Sequence, residues 1–338
     1  MVKENFTGWV KVCHGMNFTL HSGKKRDFLP IDGYLKENLD TIPNFLKKEY
    51  DCVGIISGTG KVRVGKSVMA IGTIGSYLSW LLAGGRVVTE LEVKDDKEYW
   101  ITKKVILPKK KVRFDLHENI CYSAEDLVKT AYKLYKKYGK NQVIIYDEGR
   151  QGLDSKRAME SINKAMEDFF QTCGFMGHVI LIVLPNYFKL HEDYAVARSL
   201  FLVNVFTDKS FNRGYFAFYN EYQKEKLYYF GKKRIGIRAK YEATNYNFWG
   251  KFSSSFPFDK KEYEKLKEEA IRKIRLQKKQ IHYKRQRDAA LYMLKKYAEM
   301  PSREIAKELS AISDFKISER MVRYAISGIS KEKPEKIN

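Results

Sequence analysis

The stretch GIISGTGKVRVGKSVMA, residues 54–70, joins an apolar run to a second apolar, small-residue run through a glycine-rich turn. Residues 60–67 fit the pattern G-x-x-x-x-G-K-[S/T] in full. In such a turn the glycines let backbone N–H groups converge on phosphate oxygens, the lysine adds positive charge, and the serine hydroxyl can bind Mg²⁺. We therefore expect a strand, a triphosphate-binding turn and a helix. The expected nucleotide contacts are Gly60, Lys61, Val62, Arg63, Val64, Gly65, Lys66, Ser67 and Val68, and Ser67 is also an expected ligand of Mg²⁺.

A second apolar run, QVIIYDEG at residues 142–149, ends in two acids. Sites that hydrolyse ATP need one acid to organise Mg²⁺ and a group that positions the attacking water. We expect Asp147 to bind the metal and Glu148 to orient the water. A glutamate directly after the aspartate favours a hydrolysing motor or switch over a nucleotide kinase. The expected cofactors are therefore ATP and Mg²⁺, with Lys66 and Glu148 as catalytic residues.

Two further positions are candidate catalytic residues. Asn186 follows an apolar run and can sense the γ-phosphate, or it can simply begin the loop after Pro185. Arg198 precedes the apolar run SLFLVNVF, residues 199–206. In ring-shaped ATPases an arginine there can reach the phosphate of a neighbouring subunit. The alternative for Arg198 is a surface ion pair.

Apolar runs alternate with helical patterns along much of the chain, which is typical of an α/β fold with a largely parallel sheet. A pair of residues, Ser123 and Asp126, predicts the start of a helix that lasts to Gly139. GYFAFYN (214–220) and KLYYFGKK (226–233) are interpreted as an antiparallel extension of the sheet. The other predicted strands are CVGIIS (52–57), RVVTELEV (86–93), QVIIYDEG (142–149), HVILIVLPN (178–186), SLFLVNVF (199–206) and two joined near Pro108 within 99–120.

In this order, the glycine turn, IIYDEG, VILIVLPN and the arginine before SLFLVNVF resemble P-loop ATPases of the additional-strand, catalytic-glutamate group. Within that group the chain is most similar to FtsK/HerA-type translocases, including zonula occludens toxin-like proteins of phages and mobile elements. The resemblance covers roughly residues 50–235. It implies a RecA-like core and hexameric rings that pump duplex DNA. One position departs from the family, since those translocases commonly have Gln or Thr-Gln where this chain has Pro185–Asn186.

The chain is strongly basic, with 63 Lys and Arg against 41 Asp and Glu and a net charge of +22. Nucleic acid is the commoner partner of such a surface, and an anionic membrane is the second. The alternative is that the positive charge only reflects a lysine-rich proteome and implies no partner. Residues 271–287 contain eight Lys or Arg and no acid. A helix of this composition presents positive charge all round, whereas a merely solvated helix mixes signs. The DNA contacts expected from it are Lys278, Lys279, Lys284 and Arg285.

Two short helical patterns follow, at 301–313 and 317–329. The first has an apolar face of Ile305, Ala306 and Leu309. The second can be capped by Ser318 and is expected to bury Met321, Val322, Ala325 and Ile326. This pair resembles a helix-turn-helix, whose last helix enters the major groove. The DNA contacts expected from it are Arg320 and Arg323, with Lys316 and Ser318 at phosphates. The alternative is a plain three-helix bundle with exposed arginines.

These patterns divide the chain into an N-terminal segment (1–50), an ATPase domain (51–255) and a basic helical module (256–330). The N-terminal segment is irregular apart from a helix pattern over 33–50. Residues 67–85 carry no charge and approach the length of a membrane span, but their position after the glycine turn favours a buried helix. Scattered cysteines and an N-terminus without an apolar leader fit the reducing cytoplasm. No stable membrane insertion is expected.

The sequence as a whole favours an ATP-hydrolysing motor that binds duplex DNA, a ring-forming translocase working as a homo-oligomer. The alternative is a nucleotide-gated, site-specific DNA-binding protein, such as an AAA+-like replication initiator or a transcription regulator. A third hypothesis, a membrane-embedded export ATPase, is supported by residues 67–85 alone. The lysine-rich segment 102–113 is either a hairpin that faces the pore of a ring or a soluble sheet edge.

Overall fold

The computed structural model of the chain describes residues 8–50, 52–58, 64–95, 97–147, 163–164, 167–171, 174–312 and 317–332. The strands are β1 (Trp9–Val12), β2 (Phe18–Thr19), β3 (Lys25–Arg26), β4 (Leu29–Asp32), β5 (Cys52–Gly58), β6 (Arg86–Lys94), β7 (Lys97–Ile106), β8 (Ile120–Cys121), β9 (Val143–Asp147), β10 (Val179–Val183), β11 (Phe201–Phe206), β12 (Tyr215–Tyr219) and β13 (Phe248–Lys251). The α-helices are α1 (Gly33–Asp40), α2 (Ile42–Lys47), α3 (Ser76–Leu82), α4 (Leu116–Asn119), α5 (Ala124–Tyr138), α6 (Glu221–Lys232), α7 (Ile237–Tyr241), α8 (Lys260–Tyr297), α9 (Ser302–Ile312) and α10 (Glu319–Glu332). Short π-helices span Val68–Gly75 and Asp193–Ala197, and 3₁₀ turns span Gly174–Met176 and Tyr187–Lys189.

The central sheet has seven strands in the order β13-β12-β11-β5-β10-β9-β8. The five strands from β11 to β8 are parallel, and β12 and β13 extend the sheet antiparallel at one edge. Strands β5, β9 and β10 are buried along their whole length, as parallel strands covered on both faces must be. The predicted α/β fold with a largely parallel sheet is confirmed.

Hydrophobic clusters cover both faces of the sheet. Cys52 and Ile56 of β5 belong to the cluster that contains the π-helix Val68–Gly75, whereas Val53 and Ile55 belong to the cluster on the opposite face. The uncharged segment after the glycine turn forms this π-helix and α3, almost entirely buried, so the prediction of a buried helix is confirmed. Within the described part of the chain, no helix has both the length and the apolar character needed to cross a membrane.

The antiparallel extension differs from its prediction in one half. GYFAFYN supplies β12, but KLYYFGKK is part of helix α6, and the second added strand is β13. Asn220 begins α6 by accepting a hydrogen bond from the backbone N–H of Gln223 at 3.0 Å. The buried residues of α6 recur at helical spacing, at positions 224, 227, 228 and 231. The cap and this period outweigh the strand preference of Tyr and Phe.

The lysine-rich segment also differs from its prediction. Strands β6 and β7 form a two-stranded antiparallel ribbon whose turn joins Lys94 to Lys97, away from the lysines at 109–111. These lysines follow the end of β7 and are not in a strand, and α4 and β8 take the place of the second predicted strand. Pro108 lacks the N–H that a continuing ladder needs. Of the two alternatives for this segment, the hairpin with a lysine-rich tip is therefore wrong.

Residues 8–50 contain more regular structure than the sequence indicated. β1 pairs with β4 and β2 with β3, both antiparallel, and Leu29 and Ile31 are fully buried in the main core. The helix pattern over 33–50 is divided into α1 and α2 at Thr41. Pro43 explains the division, because its ring nitrogen cannot donate to the preceding helical turn.

The chain divides into two compact units, Met1–Ile271 and Arg272–Asn338. The sequence-based boundary lies near residue 255, so the first turns of α8 belong to the larger unit. In the smaller unit, one hydrophobic cluster is formed by Leu291, Ile305, Ala306, Val322, Ala325 and Ile326.

The predicted start of a helix at Ser123 is confirmed, since the Oγ of Ser123 accepts from the backbone N–H of Asp126 at 3.2 Å.

His178 is a buried histidine that ties neighbouring elements together. Its Nδ1 accepts from the backbone N–H of Gln142 at 3.1 Å and its Nε2 faces the carbonyl oxygen of Ala131 at 3.1 Å. This geometry requires a neutral ring with the proton on Nε2. Burial lowers the pKa of His178 from its usual 6.5 to about 4.

The pKa of His178 predicts a specific acid sensitivity. Because the folded-state pKa is depressed, the unfolded chain takes up the proton first, and this contribution to stability is lost as pH falls from 6.5 towards 4. Relative to His178→Gln, wild-type protein should lose about 2 kcal/mol between pH 7.5 and 4.5. Urea unfolding at several pH values measures this difference. The control His21→Gln, at an exposed histidine, should follow the wild-type profile. Parallel wild-type and His178→Gln profiles would contradict the assignment.

Candidate functional site

The ends of β5 and β9 lie at the same edge of the central sheet, separated only by β10. Val183 of β10 is paired with Asp147 on one side and with Ile56 on the other. β5 ends at Gly58, where the glycine turn begins, and Asp147 is the last residue of β9. Ligands of open α/β sheets bind outside the carboxyl ends of the strands. The topology therefore brings the two sequence motifs to the position where a ligand site is expected.

The second half of the glycine turn is described, whereas Gly60, Lys61, Val62 and Arg63 lie outside the described residues. Gly65 has a φ of +105°, which side chains rarely allow, so the turn requires glycine there. A helix starts directly after it, and the N–H of Met69 donates to the carbonyl oxygen of Gly65 at 2.9 Å. The first amides of such a helix lack helical partners and favour an anion.

Ser67 and Asp147 meet although 80 residues separate them. The Oγ of Ser67 donates to Oδ1 of Asp147 at 3.2 Å. Asp147 is only 1% exposed. The sequence motifs pointed to both residues separately as magnesium ligands, and the structure brings their oxygens together. A hydroxyl and a carboxylate are hard oxygen donors of the type that Mg²⁺ prefers.

Two residues of helix α8 complete the surroundings of Asp147. The hydroxyl of Tyr263 donates to Oδ2 of Asp147. Nζ of Lys267 donates to the same oxygen at 2.8 Å, to the Tyr263 hydroxyl at 3.1 Å and to Ser67 Oγ at 3.4 Å. The spacing of four residues places Tyr263 and Lys267 on one face of the helix. Sequence reasoning missed both, and the only local signal was a tyrosine within an otherwise charged helical stretch.

The start of α8 is held against the helix that follows the glycine turn. A Cβ at Gly72 would lie 2.1 Å from the carbonyl oxygen of Ser255, so the two backbones are in direct contact. Phe256 bridges to Thr19 through two backbone hydrogen bonds, of 2.9 and 3.0 Å. Asp259 then caps α8 by accepting from the backbone N–H of Glu262 at 3.0 Å. These contacts direct the first turns of α8 towards Asp147.

Burial and the charge of Asp147 set the electrostatics around the site. Burial is the main cause that raises the pKa of Tyr263 far above its usual value, and the negative charge of Asp147 is the second. The same two causes raise the pKa of Tyr122. Both phenols therefore remain protonated at neutral pH. Lys267 forms the ion pair with Asp147, and its side chain is 24% exposed.

Asn186 lies beyond the end of β10, at the same edge of the sheet as Ser67 and Asp147. Its Oδ1 accepts from the backbone N–H of Phe188 at 3.0 Å and so caps a 3₁₀ turn. This bond is the structural role that the sequence left open for Asn186. Its role as a phosphate sensor stays a prediction.

Arg198 precedes β11, which is parallel to β5. Arg198 therefore lies at the opposite edge of the sheet from the glycine turn of its own chain. It is exposed, and its guanidinium lies over the ring of Phe170, 5.1 Å from the centroid. Its predicted role at the phosphate of a neighbouring subunit stays a prediction.

The second predicted acid and several of the predicted DNA contacts fall on parts of the chain outside the described residues. Glu148 and Lys316 lie outside the described residues. The side chains of Lys278, Lys279 and Arg285 also lie outside them, although α8 includes all three positions. Lys284 is exposed on the same helix.

Helices α9 and α10 form the predicted pair of short helices. Ser318 caps α10, because its Oγ accepts from the backbone N–H of Met321 at 3.3 Å. Val322, Ala325 and Ile326 are buried as predicted, but Met321 is 56% exposed, so its predicted burial is wrong. The buried positions 322, 325 and 326 follow helical spacing, and 321 lies outside that stripe. Arg320 and Arg323 are exposed, and Arg323 pairs with Glu319.

Comparisons with protein-family models, characterised proteins and solved structures find no match to this chain.

The contact between Gly72 and Ser255 predicts an unusual sign for one substitution. In a free helix, replacing Gly by Ala stabilises by about 1 kcal/mol. Here the added methyl group would overlap the carbonyl oxygen of Ser255, so Gly72→Ala should instead lower the free energy of unfolding by about 2 kcal/mol. Urea unfolding followed by circular dichroism measures the change. An unchanged or higher midpoint would show that α8 does not begin against this helix.

Proposed function

We propose that this protein binds Mg·ATP at the glycine turn, hydrolyses the ATP, and couples this hydrolysis to movement along duplex DNA. The main support is the 3.2 Å approach of Ser67 Oγ to Asp147 Oδ1, between residues that belong to separate motifs. The turn predicted to bind phosphate and the acid predicted to bind the metal converge on one point, as a nucleotide site requires.

The order of the strands also supports the proposal. β10 lies between β5, which leads into the glycine turn, and β9, which ends in Asp147. An inserted strand between these two is the feature for which the additional-strand group is named. The parallel strands β11-β5-β10-β9-β8 therefore agree with a RecA-like core, the finer fold that the sequence resemblance implies.

The residues of the site fit Mg²⁺ bound together with a nucleotide. Within the described residues, no group of three or more His, Cys, Asp or Glu could hold a metal ion. Mg²⁺ usually takes one or two protein oxygens, with substrate phosphates and water as its remaining ligands. Ser67 and Asp147 provide such a pair. When bound, the metal would neutralise negative charge on the phosphate oxygens.

The chain's own groups then have distinct roles. Amides at the start of the helix that begins at Lys66 bind the phosphates, and the ammonium of Lys66 adds charge next to them. Ser67 and Asp147 orient the metal. Glu148, the next residue after Asp147, orients the attacking water and accepts its proton.

The link to DNA rests on charge and on α10. The net charge of +22 favours a polyanionic partner. Arg320 and Arg323 are exposed on α10, whose opposite side is buried against α9. We infer that α9 and α10 act as a helix-turn-helix that contacts duplex DNA through these arginines. We propose further that the chain forms a homo-oligomeric ring in which Arg198 reaches the next subunit's nucleotide.

The site makes separable predictions for Lys66 and Glu148. Lys66→Ala should abolish nucleotide binding and turnover, because the charge next to the phosphates is lost. Glu148→Gln should bind ATP but hydrolyse it about a hundredfold more slowly, the usual range for loss of a general base. A phosphate-release assay and titration with a fluorescent ATP analogue measure the two effects, and Lys265→Ala, at an exposed position of α8, is the control. Wild-type turnover in Glu148→Gln would refute the role of Glu148, and wild-type turnover in Lys66→Ala would refute the nucleotide site.

The DNA contacts are tested by removing two positive charges from one helix at a time. The double variant Arg320→Ala/Arg323→Ala should bind random-sequence duplex more weakly, with the salt slope reduced by about 1 for each lost phosphate contact. It should also lose DNA stimulation of the ATPase. The matched control is Arg303→Ala/Lys307→Ala, at exposed positions of α9. Equal effects of the two variants would contradict the placement of α10 on DNA, and a sharp preference of wild-type protein for one sequence would favour the nucleotide-gated initiator or regulator.

A further inference from the structure

Lys267 occupies the neighbourhood of the very oxygens that would bind the metal. Its Nζ lies 2.8 Å from Oδ2 of Asp147 and 3.4 Å from Oγ of Ser67. Neither Lys267 nor Tyr263 belongs to the glycine turn or to the β9 motif; both are on the first turns of α8. This inference rests on the proposed function, since it concerns the same magnesium site.

The ammonium compensates a charge that the fold has buried. A buried carboxylate is costly unless it is paired and hydrogen-bonded. Asp147 is 1% exposed, and among the described residues its donors are Ser67 Oγ, the Tyr263 hydroxyl and Lys267 Nζ, of which Lys267 carries the charge. Lys267 is thus the counter-ion of Asp147. Its side chain is 24% exposed, which leaves it a path to solvent.

The lysine and the metal exclude each other. Mg²⁺ binds oxygen at about 2.1 Å. A metal bound to Ser67 Oγ would therefore lie within about 6 Å of an ammonium that remained 3.4 Å from that oxygen. Two cations at that separation in a buried site repel strongly. This repulsion favours a position of Lys267 away from Asp147 when a metal is bound.

We propose that Lys267 is a built-in counter-ion of the magnesium site and that the first turns of α8 form a latch which opens when Mg·ATP binds. In the metal-free state, Lys267 and Tyr263 hold α8 on Asp147. In the nucleotide-bound state, the metal takes the place of the ammonium and this end of the helix is released. The state of the nucleotide site is thereby passed to α8.

The position of the latch gives it a use in the proposed motor. Helix α8 continues without interruption from Lys260 to Tyr297 and so includes the basic run 271–287. A change at Lys267 is a change at the base of the helix that carries this run. Under this proposal, ATP binding at the glycine turn affects the same helix that carries the basic run 271–287.

The competition is tested by titrating full-length protein with Mn²⁺ alone and counting free Mn²⁺ by electron paramagnetic resonance. Lys267→Met removes the charge and keeps an apolar stem, so it should bind Mn²⁺ about tenfold more tightly than wild type or better. Lys267→Arg retains the charge and should bind like wild type. Lys265→Met, two residues away and exposed, should also bind like wild type.

The outcomes separate this inference from the function on which it rests. If Lys267→Met binds Mn²⁺ no more tightly than Lys267→Arg while wild-type protein still binds and hydrolyses ATP, the counter-ion role is overturned and the proposed function stands. If Lys267→Met binds Mn²⁺ more tightly but wild-type protein binds no ATP, the competition is supported and the nucleotide site is refuted.

The release of α8 has its own readout, hydrogen exchange of backbone amides. In wild-type protein, Mg·ATP should increase exchange across residues 262–270, whereas ATP with EDTA should not. The helix α5 serves as the internal reference. In Lys267→Met these amides should exchange faster before any ligand is added. Exchange across 262–270 that falls or stays unchanged on addition of Mg·ATP would overturn the latch.

Discussion

The buried carboxylate of Asp147 is the constraint on which the rest of the structure depends. It lies at the end of a fully buried strand and is 1% exposed, so its charge must be met by partners from the protein or from a ligand. Those partners come from distant parts of the chain: Ser67 from the glycine turn, and Tyr263 and Lys267 from α8. This polar centre links the sheet, the glycine turn and the long helix, because it requires residues from all three.

The sheet topology makes this centre possible. With β10 between β5 and β9, the last residues of all three strands lie at one edge of the sheet. Glycine appears where backbones must come close or turn sharply: Gly65 takes a left-handed conformation at the start of the helix, and Gly72 lets Ser255 pass against it. These two glycines allow the helix after β5 and the helix after β13 to approach the same carboxylate.

Sequence reasoning succeeded where the signal was local. The glycine turn, the apolar strands and the acid at residue 147 could be predicted because phosphate turns and buried parallel strands each leave a short, contiguous pattern. Sequence reasoning failed where the same composition suits both a strand and a helix. Tyr228 and its aromatic neighbours suit a strand by preference, but a cap at Asn220 and tertiary packing make them helical. Tyr263 and Lys267 were beyond reach, because their roles arise from contacts across 116 and 120 residues.

The central claim is that the glycine turn and Asp147 form one Mg·nucleotide site, from which the end of α8 is displaced. A crystal structure of the full chain with Mg²⁺ and a non-hydrolysable ATP analogue tests it most directly. The account predicts the triphosphate on the amides of residues 65–67, the metal between Ser67 Oγ and Asp147, and the Lys267 ammonium away from that carboxylate. A nucleotide bound elsewhere, or Lys267 still paired with Asp147 beside a bound metal, would contradict it.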